Sequence, residues 1–220
     1  MGKILKYDIN DIKIRLLSKK SEERRSAAKK INKYLIKDLE EDLYQAYIKE
    51  RKDIRTWETQ CEMIKALGKL NNKAIVPELI KIIDANKNGD LITNVASCAY
   101  VRITKSEKND VTSIISLLKG GNLSVLTEAA SALAFDEMIP EKIQAQEIIR
   151  IMLNREEEIT ELCGQGSINP RALILSSIIK WDKTAPLVKK FVERCLKLDS
   201  IKTDTYIIER FIANKKIYSE

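Results

Sequence analysis

Hydrophobic and polar residues along this chain repeat with the spacing of an α-helix. The pattern is clearest over residues 57–70, where apolar side chains cover about half of the helical circumference. The polar side chains of that segment share one narrow stripe: Glu58, Glu62, Lys65 and Lys69. Such a pattern predicts a helix that packs against neighbours on both flanks and exposes one charged stripe.

The end of this helix belongs to a sequence motif that recurs along the chain. Residues 66–68 read Ala-Leu-Gly, and a polar turn and a second amphipathic segment around Pro77 follow. Related segments end at Val101 and Ala134, 33 and 66 residues after Gly68. An earlier segment ends at Asn32, 36 residues before Gly68. A repeat of this length accommodates two helices and a turn. The sequence therefore predicts stacked helical hairpins.

In these residues the chain resembles the HEAT-repeat family, including its short bacterial form. The family pattern combines a Val-Arg pair, several alanines, Ala-Leu-Gly, a polar turn and a helix entered near a proline. Residues 59–83 match this pattern best, residues 125–133 are similar, and residues 170–197 match loosely. The resemblance implies an all-α fold, a short right-handed α-solenoid of HEAT-like helical hairpins with a C-terminal helical cap.

The repeat also predicts how the chain is divided. We expect three parts: a HEAT-like repeat array over residues 1–153, a loop or irregular connection over residues 154–169, and C-terminal helices over residues 170–220 that continue or cap the array. A run of glutamates and a Gly-Gln-Gly turn at residues 164–166 mark the connection.

Local signals predict where several helices begin and end. Asp90 and Asp110 are suited to cap helices that begin at the residue after each, because a short side-chain oxygen accepts bonds from free amides. Residues 120–121 are both glycine, which favours a left-handed residue after a helix end. Asn169 before Pro170 is a helix start. The helix that follows is apolar nearly all round, so we expect it to be buried.

Composition indicates a globular helical chain. Hydrophobic residues make up 44% of the 220 positions, and no segment approaches the roughly 20 apolar residues that cross a bilayer. The first residues lack the apolar core of a secretory signal. Four cysteines form no CxxC pair, so we expect small buried side chains in a reducing compartment: Cys61, Cys98, Cys163 and Cys195. We therefore expect a cytoplasmic protein that does not act on a membrane.

The residue types that many enzymes use are missing or isolated. The chain contains no histidine, which excludes Ser–His–Asp and Cys–His machinery, and it has no glycine-rich phosphate loop. The consecutive glutamates at residues 156–158 would point in different directions on a helix. Trp57 and Trp181 fall on apolar helical faces, so we expect both in the core. We predict no catalytic residue, no cofactor and no metal site.

The charge distribution is the one feature that points toward a function. The net charge is +7, yet residues 1–55 carry +6 and residues 111–165 carry −5. The densest basic patch forms a candidate binding face opposite the apolar positions of one helix: Arg24, Arg25, Lys29, Lys30, Lys33 and Lys37. Such a face suits phosphates or an acidic protein. The lysine-rich composition of the whole chain favours an ordinary solvated surface over such a binding face.

Three functions compete on these grounds. The first is a non-catalytic binding module that holds a protein partner along its helical surface, as an adaptor, an assembly factor or an inhibitor. Its candidate contact residues form a concave stripe: Glu58, Glu62, Lys65, Lys69 and Glu128. The alternative is a nucleic-acid binder that uses the basic N-terminal face. A second alternative is a DNA glycosylase for alkylated bases, which is similar to this chain in size and fold class only, so no residue carries over.

Overall fold

The computed structural model of the chain describes residues 8–87, 89–163, 169–178, 180–181 and 186–198, except for the side chains of residues 162, 163 and 196. Across these ranges every regular element is a helix and there is no β-strand, which confirms the predicted all-α class. Within the same ranges, no helix combines the length and the apolar character that crossing a bilayer requires. The chain forms two compact units.

The first unit comprises residues up to 85 together with residues 90–103. Its helices are α1 (Ile9–Leu16), α2 (Ser21–Tyr34), α3 (Glu40–Glu50), α4 (Trp57–Leu70), α5 (Val76–Ala85) and α6 (Leu91–Thr104). Short 3₁₀ helices precede α3, α4 and α5: Lys37–Leu39, Ile54–Thr56 and Lys73–Ile75. Helix α2 packs against α1 and α4, and α3 also packs against both α1 and α4.

Helix α4 contributes most to the core of the first unit. Met63, Ile64 and Leu67 of α4 are fully buried, and so are Ile31 of α2 and Leu43 of α3. Burying a side chain of this size contributes about 1.5–3 kcal/mol. The predicted amphipathic helix with apolar flanks is therefore confirmed for α4.

Gly68 permits a close approach between α4 and α6. A Cβ atom placed on Gly68 would lie 2.8 Å from the Cβ atom of Ala99 on α6. Two carbon atoms cannot approach so closely without a shift of one helix. The glycine of the recurring Ala-Leu-Gly motif therefore has a packing role.

The second unit comprises residues 86–89 and the chain from residue 104 onward. Its helices are α7 (Thr112–Gly120), α8 (Leu123–Phe135), α9 (Lys142–Asn154), α10 (Glu156–Cys163), α11 (Pro170–Ile178) and α12 (Pro186–Leu198). Helix α8 packs against α7 and α11, whereas α9 packs against α7, α10 and α12. Helix α11 is buried along nearly its whole length, as its apolar sequence predicts.

Helix starts follow the predicted signals closely. The Asp90 carboxylate accepts a bond from the Thr93 amide at 2.9 Å, and α6 begins at the residue after Asp90. The Asn169 side chain accepts from the Arg171 amide at 2.9 Å, and α11 begins at Pro170. The helix near Asp110 begins at Thr112, one residue later than predicted.

Two local predictions are wrong. The expected irregular connection over residues 154–169 contains the regular helix α10, because its glutamates lie at a helix N-terminus, where negative charge is favourable. Gly121 is not left-handed, since it has φ −75° and follows the last residue of α7. A Cβ atom there would lie 2.5 Å from the Cβ atom of Val125, so close packing accounts for this glycine. The predicted turn at residues 164–166 lies outside the described residues, and the boundaries at 153 and 169 remain predictions.

Candidate functional site

The two surfaces predicted from the sequence, the basic face of α2 and the stripe of α4, adjoin each other. Ser21 Oγ lies 2.7 Å from Thr59 Oγ1, which places the first turns of α2 and α4 side by side. Arg25 of α2 forms an ion pair with Glu58 of α4. The predicted basic face and the predicted acidic end of the stripe therefore meet on one surface of the first unit.

Arg24 does not belong to that surface. Its guanidinium donates to the carboxylate of Glu50, through Nη2 at 2.9 Å and through Nε, and to the carbonyl oxygen of Ser18 at 2.7 Å. Glu50 is only 4% exposed. A buried carboxylate needs such partners because the interior solvates charge poorly. The assignment of Arg24 to the basic face is therefore wrong, since this side chain links α2 to the end of α3.

The environment of Glu50 has opposing effects on its pKa. Burial raises the pKa of this carboxyl. Hydrogen bonds, led by that of Arg24, and the Arg24 charge outweigh burial and hold the pKa below its usual value of 4.5. Ser21 Oγ also donates to Glu50, at 3.0 Å. Glu50 is therefore held ionised as part of the interior.

Of the other members of the predicted basic face, two are held in ion pairs and one lies off the helix. Arg25 is paired with Glu58, and Lys30 Nζ lies 3.4 Å from a carboxylate oxygen of Asp11 on α1. Lys37 is not on α2, because that helix ends at Tyr34 and the chain then turns into a 3₁₀ helix. The single continuous face expected on one helix is therefore wrong.

Lys29 and Lys33 remain exposed on α2, and Lys37 is exposed in the following 3₁₀ helix. Lys33 Nζ lies 5.2 Å from the ring centre of Tyr34, within cation–π distance. Among the residues whose structure is described, none of these three lysines forms an ion pair. They are the part of the predicted basic face that is available to a ligand.

The predicted stripe of α4 lies at the surface. The side chain of Glu58 is 52% exposed, and Lys65 Nζ lies 3.0 Å from a carboxylate oxygen of Glu62. Lys65 and Lys69 are exposed. Interleaved charges of both signs therefore cover the outer side of this helix.

Trp57 stands at the exposed start of that stripe. Its side chain is 41% exposed, so the prediction that it lies in the core is wrong. Trp57 is the first residue of α4 and directly follows the short 3₁₀ helix Ile54–Thr56. Ile54, three residues earlier, is 84% exposed. Sequence reasoning missed Ile54, although an isolated isoleucine between Asp53 and Arg55 in a turn is the available signal.

The remaining predicted residues lie elsewhere. Glu128 belongs to α8 in the second unit and is half-buried, so its membership of the stripe remains a prediction. Trp181 is 6% exposed, and its Nε1 donates to the carbonyl oxygen of Met138 at 3.3 Å. The prediction that Trp181 lies in the core is confirmed.

A cleft of about 320 Å³ opens beside the Arg24–Glu50 pair, between α1 and α3. Its carboxylates all have cationic partners. Glu50 is paired with Arg24, and Asp42 lies 2.9 Å from Lys13. A hydrogen bond from the Arg55 side chain lowers the pKa of Asp53 to about 2. The pKa values of Glu50 and Asp53 are therefore lowered, away from the range that suits proton transfer near neutral pH.

Cysteine placement agrees in part with expectation. Cys61 and Cys195 are buried and Cys98 is half-buried, while the side chain of Cys163 lies outside the described residues. Burial raises the pKa of the Cys61 thiol to about 11. Within the part of the chain that the structure covers, no group of three or more cysteines or carboxylates is arranged to hold a metal ion.

Comparison of the chain with models of protein families, with curated proteins and with solved structures gives no match.

Proposed function

We propose that this protein is a non-catalytic binding module that holds a protein partner along its helical surface, as an adaptor, an assembly factor or an inhibitor. The architecture we propose for it is a short right-handed α-solenoid of HEAT-like helical hairpins with a C-terminal helical cap.

The packing order within each unit supports a solenoid. In the first unit α2 packs against α4, its next but one neighbour in the chain, and α1 packs against α3 in the same way. In the second unit α7 packs against α9. Contacts between alternate helices are typical of stacked hairpins, in which each repeat contacts the next.

The observation that carries the binding proposal is the exposed apolar pair Ile54 and Trp57 beside the charged stripe of α4. Tryptophan is enriched at the energetic centres of protein interfaces because it buries a large area with few rotatable bonds. Glu58, the residue after Trp57, and its ion-pair partner Arg25 supply charges of both signs for orientation. An apolar anchor with a polar rim is the usual anatomy of an interface.

Nucleic-acid binding through the basic face is the weaker candidate. Arg24, Arg25 and Lys30 are already paired with carboxylates. A phosphate backbone would have to displace those carboxylates or lie beside them. Lys29, Lys33 and Lys37 alone form a small electrostatic footprint.

The test is affinity capture on the immobilised full chain, with Trp57→Ala as the variant. Trp181→Phe, which keeps a buried ring in the second unit, is the control. We expect wild type and the control to retain a protein partner. The amount retained should fall at least about tenfold on Trp57→Ala, because this substitution removes an interface anchor. Retention of nucleic acid that nuclease treatment releases, with no protein dependent on Trp57, would contradict the proposal.

A further inference from the structure

The solvent-exposed faces of α2 and α4 carry the same charges at positions one repeat of 36 residues apart. Residues separated by a step of 36 match in four pairs: Glu22 and Glu58, Lys29 and Lys65, Lys33 and Lys69, Lys37 and Lys73. All eight side chains are exposed. We refer to these eight residues as the double charge row.

The two rows lie side by side and run in the same direction. The first turns of α2 and α4 are joined by Ser21 with Thr59 and by Arg25 with Glu58. At the other end, Asn72 Nδ2, just after α4, donates at 2.8 Å to the carboxylate of Glu40, the first residue of α3. Parallel helices in contact have axes about 8–10 Å apart. Each matching pair therefore lies across one shallow groove.

The double charge row has a polarity. The glutamates stand in the first turn of each helix, and the lysines stand in the second half of each helix and in the 3₁₀ helices that follow. Among the described residues, Lys65 is the one lysine of the row with an ion pair, to Glu62. One end of the groove therefore carries Glu22 together with Glu58, which is paired with Arg25. At the other end, the described lysines other than Lys65 have no carboxylate partner.

We propose that the double charge row docks a helical protein segment whose own charges are separated in the complementary sense. Basic side chains of that segment lie over Glu22 and Glu58, and its carboxylates lie over the lysines. This inference rests on the proposed function and names the chemistry of the partner.

The length of the row fits one short helix. Eleven residues separate Glu22 from Lys33, which at 1.5 Å per residue is about 16 Å. A docked helix antiparallel to α2 and α4 would carry its carboxylates in its N-terminal half and its basic residues in its C-terminal half. That order also suits the dipole of the docked helix. The two requirements therefore coincide in one segment of about three turns.

Charge separation favours a protein segment over a nucleic acid. A phosphate backbone has a single sign along its length, so its attraction to the lysines would be opposed by repulsion at the glutamate end. Complementary charges at both ends instead fix orientation and exclude single-sign partners.

The experiment uses fluorescence anisotropy with the full chain at about 50 and 200 mM salt. The probes are labelled helical peptides of equal composition and zero net charge. One has a Glu-rich N-terminal half and a Lys-rich C-terminal half, and the other alternates the same residues. An all-Glu peptide, an all-Lys peptide and a single-stranded RNA are the single-sign probes.

The protein variants are Lys33→Glu with Lys69→Glu, and the control Lys49→Glu with Lys52→Glu. The control changes the net charge equally at two exposed lysines off the row. We expect the separated peptide to bind at least about tenfold more tightly than the alternating peptide at low salt. That preference is lost in the row variant, kept in the control, and replaced in the row variant by binding of an all-Lys peptide. Circular dichroism melting establishes that each variant is folded.

Equal binding of the separated and alternating peptides would overturn the inference, as would equal losses in the row variant and its control. Tighter binding of the RNA, lost in the row variant, would assign the groove to nucleic acid. A captured protein that depends on Trp57 but not on Lys33 and Lys69 would leave the proposed function standing and remove this inference alone.

Discussion

Helices α4 and α8 have similar interiors and different exteriors. Leu67 of α4 and Leu133 of α8 are both fully buried. Yet α4 carries a stripe of four charged residues, of which Glu58, Lys65 and Lys69 are exposed, whereas Glu128 is the one charged residue of α8. Packing explains the apolar residues of both helices, but it does not require the charges of α4. The first unit is therefore where we place partner binding, and the second unit presents a largely apolar helix within its core.

The largest expected difference involves the buried ion pair of the first unit. Glu50→Gln leaves the Arg24 guanidinium with a weakened partner, so we expect a loss of about 3–5 kcal/mol in the free energy of unfolding, measured by denaturant titration. Glu22→Gln, at an exposed carboxylate of α2, is the matched control and should change stability by less than about 0.5 kcal/mol. A wild-type free energy of unfolding for Glu50→Gln would show that the Arg24–Glu50 pair does not stabilise the fold.

The same pair predicts a dependence on pH. The pKa of Glu50 is lower in the folded chain than its usual 4.5, so its contribution is present above pH 4.5 and is lost as the pH falls through the folded pKa. Denaturant titrations from pH 7 downward should show a smaller acid loss in Glu50→Gln than in wild type. Asp110 of the second unit, whose pKa is lowered by hydrogen bonds from Ser106 and Thr112, supplies an acid loss that this variant retains. Parallel acid profiles for the variant and wild type would contradict the role of Glu50.

Core truncations in α4 and α8 should reduce the free energy of unfolding by similar amounts. Leu67→Ala and Leu133→Ala each remove a fully buried side chain and are expected to cost about 2–5 kcal/mol. The measurement is chemical unfolding of each variant beside wild type. A wild-type midpoint for one of them would mean that the corresponding helix face is not in the core.

Glycine substitutions in the two units should change stability in opposite directions. Gly68→Ala forces a Cβ atom against Ala99, so we expect a loss of about 1–3 kcal/mol. Gly120→Ala, in α7, meets no atom within 4 Å and should gain about 0.4–1 kcal/mol by restricting the unfolded chain. Thermal melts of both variants measure these changes. An equal loss of stability from Gly120→Ala would refute the packing role assigned to Gly68.

The smallest effect concerns two residues with left-handed backbone. Leu35 has φ 51°, whereas its repeat equivalent, 36 residues later, is Asn71 with φ 60°. Because asparagine tolerates this region better than leucine, Leu35→Asn should gain about 0.5–1 kcal/mol. Glu137 of the second unit has φ 52°, but Glu137→Asn also loses an ion pair with Lys180 at 2.8 Å, so its gain should be smaller. Equal gains from both substitutions in denaturant titrations would show that this ion pair does not affect stability.

Periodicity and capping chemistry were sufficient to predict the helical class, the stripe of α4 and the helix starts after Asp90 and Asn169. These features depend on residues near each other in the chain, which a helical wheel represents well. The wheel failed at the first residue of α4, because it assumes a continuous helix around each position. Trp57 was therefore expected inside and is exposed.

The partners of charged side chains could not be predicted from the sequence. Arg24 is separated by 26 residues from Glu50, so no local pattern reveals that packing buries the two together. The pairing of Arg25 with Glu58 likewise depends on the contact between α2 and α4. Lys37 was placed on the wrong element because a leucine in the left-handed region is an unusual helix end. The four pairs of the double charge row are 36 residues apart in the sequence, but their position side by side depends on the contact between α2 and α4.

The most direct test of the central claim is quantitative capture of a protein partner on the full chain and on three variants. These are Trp57→Ala, the double variant Lys33→Glu with Lys69→Glu, and Phe135→Ala, which removes an exposed ring from the end of α8 in the second unit. Our account predicts a nuclease-resistant protein partner that is retained by wild type and by the α8 variant and lost from both variants of the first unit. A partner lost only from the α8 variant, or nucleic acid as the sole retained ligand, would contradict it.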